Sequence, residues 1–273
     1  MISKEWRDAH WKLAIGVLFF MYLMAVAPLP YEVILNETRN PPTAGPDGSP
    51  IPEEFLVPGN PVEYAMQDMG WIYGDVGAPI LAALAAFLGV ALISREMPQG
   101  TILLMLSKPV SRTRLLLEKY AVGADALLAA ALLGSVGLAI SVAVRGYPMS
   151  ELSLVGIAFS TLLIWLGSLC VLSLALLFSA LLGSVLKSFI ATAIAVYMVF
   201  AFPRDFLNYS LWVEYHRLGV SEKFVESLSL RQYWTSESIY MGESLGLVSF
   251  LICMIAAAVP LLAALWIFNR KAY

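Results

Sequence analysis

Six stretches of this chain run for 16 residues or more without a charged side chain: 13–31, 76–94, 126–144, 152–186, 188–203 and 245–268. A bilayer core of about 30 Å is crossed by about 20 apolar residues in a helix. Helix is the form that satisfies its own backbone polar groups in lipid. The chain is 59% hydrophobic and 14% charged, against about 25% charged in a soluble domain. Runs and connecting loops use up the sequence, so no region remains for a soluble catalytic domain. The net charge of −3 gives no basis for nucleic-acid binding.

The 152–186 block has 35 uncharged residues, about 52 Å as helix, too long for one ordinary span. A turn within 179–188, helped by Gly183, divides it and leaves Lys187 near an interface where it can snorkel. The expected spans are 12–31, 76–94, 120–144, 152–178, 183–203 and 245–268, in a single membrane domain over 1–273. Ala25-Val26-Ala27 resembles a cleavage site, but the apolar stretch is long for a signal peptide and Glu5 and Asp8 dilute the basic start, so an uncut first span is expected.

With six spans both termini share one side. That side carries eleven Lys and Arg (Lys4, Arg7, Lys12, Arg95, Lys108, Arg112, Arg114, Lys119, Lys187, Arg270 and Lys271) against six on the other. Basic residues in short loops mark the cytoplasmic face, so both termini are expected inside, in a multi-pass protein of the cell membrane. Residues 2–12, with Trp6 and Trp11, suit a short interfacial helix leading into the first span. Residues 28–61 hold nine of the fifteen prolines, which predicts an irregular external loop within 32–75. Its acids, including Glu37, Glu63 and Asp68, are expected to be solvated. In the second external segment, 204–244, apolar residues recur at helical spacing, predicting short helices on the outer surface.

Few residues inside the spans carry chemistry. Cys170 and Cys253 lie in apolar runs with no metal spacing, so no metal is expected and both read as packing residues. His10 and His216 lie outside the spans and have no partner in the sequence. Ala82/Ala86, Ala85/Gly89 and Ala126/Ala130/Gly134 recur four apart, the spacing of close helix packing. Asp125, about 9 Å along a helix from Lys119, is expected in the first turns of the third span, where the helix dipole favours a negative charge. No His-Glu-x-x-His, Gly-x-Ser-Gly or Gly-x-Gly-Asp occurs, which argues against an intramembrane enzyme. A membrane anchor or assembly factor is harder to separate from a transporter on sequence.

The charged segment 95–119 has an internal logic. Pro98 and Gly100 break the second span's helix, Thr101 can cap a new one, and 102–106 is apolar. Pro109 breaks again, leaving Val110, Ser111 and Arg112 at a corner before Lys119 leads into the third span. The order Glu96, Gly100-Thr101, Leu106-Ser107, Pro109-Val110-Ser111-Arg112 and Lys119 resembles the intracellular segment of ABC-2 type transporter permeases. The N-terminal interfacial helix, the six spans and the external helices before the last span resemble that family too. The first external loop is longer than such permeases usually need.

The resemblance implies an all-α permease whose 95–119 segment is a cytoplasmic coupling helix, docking on a separate ATP-hydrolysing subunit through those same residues. It implies a second permease subunit, identical or not, and alternating access driven by the partner, with export as the direction. The chain has no Gly-x-x-x-x-Gly-Lys-Ser/Thr loop to cradle nucleotide phosphates. ATP and Mg are therefore expected on the partner, with no cofactor on this chain.

Overall fold

The computed structural model describes residues 2–40, 60–94, 111–148, 154–201, 230–234 and 246–270. Among the described residues every regular element is a helix. Its elements are α1 (Ile2–Val26), α2 (Tyr31–Arg39), α3 (Pro61–Trp71), a π-helical segment (Ile72–Gly77), α4 (Ala78–Ser94), α5 (Arg112–Val144), α6 (Leu154–Leu182), α7 (Val185–Val196), a second π-helical segment (Tyr197–Ala201), α8 (Leu230–Trp234) and α9 (Leu247–Arg270). Among the described residues four stretches are long and apolar enough to cross a membrane: Ala14–Arg39, Arg112–Val144, Val155–Leu182 and Leu247–Arg270. Ala78–Ser94 and Val185–Phe200 are shorter apolar helices.

Helix α6 is the axis of the bundle. Its most apolar window is 72% buried, against 17% for that of α9, so α6 is ringed by helices while α9 presents most of its surface outward. α6 packs most extensively on α9 and α4, and α1 packs along α5. Outward-facing Ile15, Leu18, Phe19, Leu251, Ile255 and Leu262 are all more than half exposed, as a lipid-facing surface requires.

The small residues act as the four-residue spacing predicted. A Cβ at Gly89 would stand 2.5 Å from Ala175 Cβ and 3.0 Å from the Leu172 carbonyl, and one at Gly134 would overlap the Phe20 ring. Ala85 and Ala130 are fully buried. Such clearances let backbones approach, and dispersion between close helices is what holds a bundle together in lipid. The chain reverses between α6 and α7 at Gly183, whose φ of +65° is a conformation glycine adopts without penalty.

Several expectations need correction, among them that Asp68 is solvated, since it is only 8% exposed. Ile2–Val26 is one unbroken helix, with no separate interfacial piece. Tyr31–Arg39 is helical inside the proline-rich stretch, because its prolines stand at 28, 30 and from 41 onward. Helix α3 also replaces expected loop. Asn60 caps it by accepting from the Val62 N–H at 3.0 Å, with Pro61 in the first turn, where its missing N–H costs nothing. From Pro61 the chain then runs helically through the π segment to Ser94. Asp125, finally, is the fourteenth residue of a helix that starts at Arg112, and it is exposed. The dipole effect fades within the first turn, so it does not account for this acid.

Candidate functional site: the base of α5 and the groove between α4 and α7

Helix α5 begins where Pro109 leads the sequence to expect a corner. Ser111 is extended (φ −66°, ψ 143°), and its Oγ accepts a hydrogen bond from the Arg114 N–H at 3.3 Å. That satisfies one of the orphan donors of the first turn. Arg114 pairs with Glu118 one turn on, Nε to Oε1 at 2.9 Å. Lys119 is buried, whereas Arg112 is half-buried and Ser111 exposed. Glu96, Gly100, Thr101, Leu106, Ser107, Pro109 and Val110 lie outside the described residues.

The base of α5 projects beyond the end of α4. Leu92, two residues before α4 ends, lies beside Gly123, and Gly123 is about 16 Å along α5 from Arg112. The projecting base is held from the side by α9. Asn269 Nδ2 donates to Thr113 Oγ1 at 3.0 Å, and the Thr113 hydroxyl can return a bond to Asn269 Oδ1 at 3.3 Å. At the other end of segment 95–110, buried Ser94 donates to Ser188 Oγ at 3.1 Å, and Ser188 donates to the Phe178 carbonyl at 3.2 Å. Both attachment points of the charged segment are therefore bonded to helices elsewhere in the bundle, Ser94 to α7 and the α5 base to α9.

A groove of about 520 Å³ opens between α4 and α7, within the range of small-molecule sites. Ala78, Ala82, Ala83 and Ala86 line one wall, Ala193, Val196 and Tyr197 the other, and Val171 of α6 also contributes. Phe87 stacks on Phe189 at 4.7 Å toward the Ser94 end, and Phe200 meets Trp234 at 4.8 Å at the opposite end. No lining residue carries a charge. Both π-helical segments border it, through Gly74 on one side and Tyr197 and Phe200 on the other. Such segments recur at functional sites because they widen a helix locally.

Trp234 was expected, with its segment, on the outer surface. It is buried, its Nε1 donating to the Ile164 carbonyl of α6 at 3.2 Å. Gly167 makes room for it, since a Cβ there would overlap the indole. Cys253 of α9 holds the same short helix, its thiol meeting the Tyr233 carbonyl at 3.8 Å. Residues 202–229, with the remaining helices expected there, lie outside the described residues. Neither Trp234 nor Gly167 carried a signal in the sequence, because their relation is a contact between distant segments.

The match that places this architecture is to the family described as ABC-2 family transporter protein, over residues 1–272. The chain belongs to the ABC-2 transporter family. No match was found among curated proteins. As an ABC-2 family member it is a multi-pass membrane component of an ABC transporter, in a family that generally works with an ATP-binding cassette ATPase. No group of three or more His, Cys, Asp or Glu side chains able to hold a metal occurs among the described residues.

Proposed function

We propose that this chain is the permease subunit of an ATP-driven exporter of the cell membrane. It crosses the membrane six times with both termini in the cytoplasm, through the four long helices, the 76–94 stretch and α7. The observation that carries the reading is the double anchorage of segment 95–110 at Ser94 and at the Ser111-capped base of α5. A partner ATPase gripping Glu96 to Lys119 would transmit force to α7 and α9 through these bonds. Closure of the ATPase on ATP then rocks the bundle, the rigid-body type of transition. ATP and Mg belong to that partner.

The groove between α4 and α7 supports half of a cargo path, completed by a second permease subunit. Its alanine walls and aromatic ends suit an amphipathic or lipid-like cargo whose apolar part enters without desolvating a charge.

The test is reconstitution in vesicles with the ATPase that co-purifies. ATP should drive movement of amphipathic cargo, and the permease alone should not be labelled by a photoreactive ATP analogue. Specific labelling of this chain without a partner would contradict the division of labour. Absence of any co-purifying ATPase would leave the chain an anchor rather than a permease.

A further inference from the structure

The groove between α4 and α7 is a slot of defined length with polar side-chain groups at one end. Phe189, backed by Phe87 at 4.7 Å, closes the inner end toward Ser94, and Phe200 with Trp234 closes the outer end. Phe189 and Phe200 stand eleven residues apart, about 16 Å along a helix. The facing wall of α4 runs eight residues from Ala78 to Ala86, about 12 Å, and consists of alanines and Pro79. A fully extended chain covers about 3.5 Å in three bonds, hence about 1.2 Å per bond, so the slot matches an unbranched chain of about 10 to 13 carbons. Among the described lining residues two carry a polar side-chain atom, Tyr197 and Trp234, and both stand near the outer end. The Trp234 indole N–H is committed to the Ile164 carbonyl. A phenol both donates and accepts, so Tyr197, 49% exposed, can serve the polar group of a ligand.

We propose that the slot binds one unbranched aliphatic chain of an amphiphile, with the polar head at Tyr197 and the chain end against Phe189. The proposal rests on the reading of this protein as a permease for amphipathic cargo, and adds the orientation and chain length of that cargo. An uncharged lining matches an uncharged chain, whereas a charge buried there without a partner would be costly. Ala83 and Ala193 are exposed along the open side, so a chain enters sideways without passing either aromatic pair. With the termini in the cytoplasm, Ser94 is at the inner face and Phe87 stands seven residues before it, about 10 Å further out. The slot then lies toward the external face, with Tyr197 near its outer end. A bound chain points from that face toward the middle of the membrane, as the chain of an outer-leaflet lipid does. The site is thus arranged to deliver cargo to the outer leaflet, and Phe189 sets the longest chain that fits.

The experiment is photolabelling of the full chain in lipid nanodiscs, without an ATPase, by 1-alkanols of graded length. Each alkanol carries a diazirine either at the chain end or beside the hydroxyl, and labelled residues are mapped by mass spectrometry. Chain-end probes should label Phe189 and Ala86, and head-end probes Tyr197 and Phe200, with unlabelled alkanol displacing both. The reverse order would overturn the proposal. So would labelling no denser in the groove than at Leu18 and Leu251, which are exposed on α1 and α9, because the probe would then be behaving as bulk lipid only. Ala193→Phe puts a ring one turn nearer Tyr197, about 6 Å, and should shorten the preferred chain by about five carbons. Phe189→Ala removes the end wall and should lengthen it. An unchanged preference in the variants that fold would remove the length limit. If neither variant folds, the order of labelling in wild type still decides. Ordered labelling without transport would uphold this site and sink the permease reading, whereas transport with the reverse order would sink this site alone.

Discussion

Thr113 and Asn269, 156 residues apart in sequence, meet side chain to side chain at the base of the bundle, with Asn269 donating at 3.0 Å. The pair is exposed, so by itself it stabilises the fold little. Its position gives it consequence, because it ties the projecting base of α5 to the last turn of α9, where Arg270 also lies over the Trp266 ring at 4.3 Å.

Asn269→Ala is therefore predicted to lower stability by no more than about 1 kcal/mol, the net worth of a typical hydrogen bond. Coupled transport should fall several-fold, because the α5 base loses its lateral hold. Thermal unfolding and vesicle transport, measured side by side, separate the two effects. Equal small losses in both would make the bond merely structural.

Gly167 and Trp234 should be coupled. Gly167→Ala puts a methyl where the indole sits, and overpacking of this kind costs about 1–3 kcal/mol. Removing the indole with Trp234→Ala leaves room for that methyl. The double variant is predicted to be more stable than the sum of the two single losses implies, by about 1 kcal/mol or more. Additive losses in a denaturation cycle would place the indole elsewhere.

The groove can be filled without disturbing the core, because Ala83 and Ala193 line it while remaining exposed. Ala83→Phe and Ala193→Phe are each predicted to leave expression and stability within about 0.5 kcal/mol, as for ordinary surface changes. Both should slow transport. Transport at the wild-type rate in both variants would remove the groove from the path.

The helical, membrane-embedded class was legible because uncharged runs near span length admit little else. The alanine and glycine spacings also carried their meaning, since close packing reads directly from an i, i+4 pattern. The start of α5 just after Ser111 fits the proline two positions earlier in the sequence. The sequence also held an unread signal at Asn60-Pro61, a helix cap followed by a proline in the first turn. By contrast, nothing local distinguishes Asp68 from its solvated neighbours. Its burial comes from Tyr147, 79 residues away, and from the chain after α1. Trp234 is the same case, because its place depends on the space that Gly167 leaves in another helix.

The most direct test of the account is Arg112→Glu. Arg112 opens α5 immediately after its cap, outside the apolar part of the helix, so insertion of the spans should be unaffected. At a desolvated contact, a like-charge clash with a partner costs on the order of several kcal/mol. The measurement is co-purification of the ATPase with wild type and with Arg112→Glu, together with ATP-driven transport in vesicles. The variant should be made in normal amounts and be stable in detergent, but lose the ATPase and the transport together. Undiminished association and transport would contradict the assignment of this segment as the coupling site.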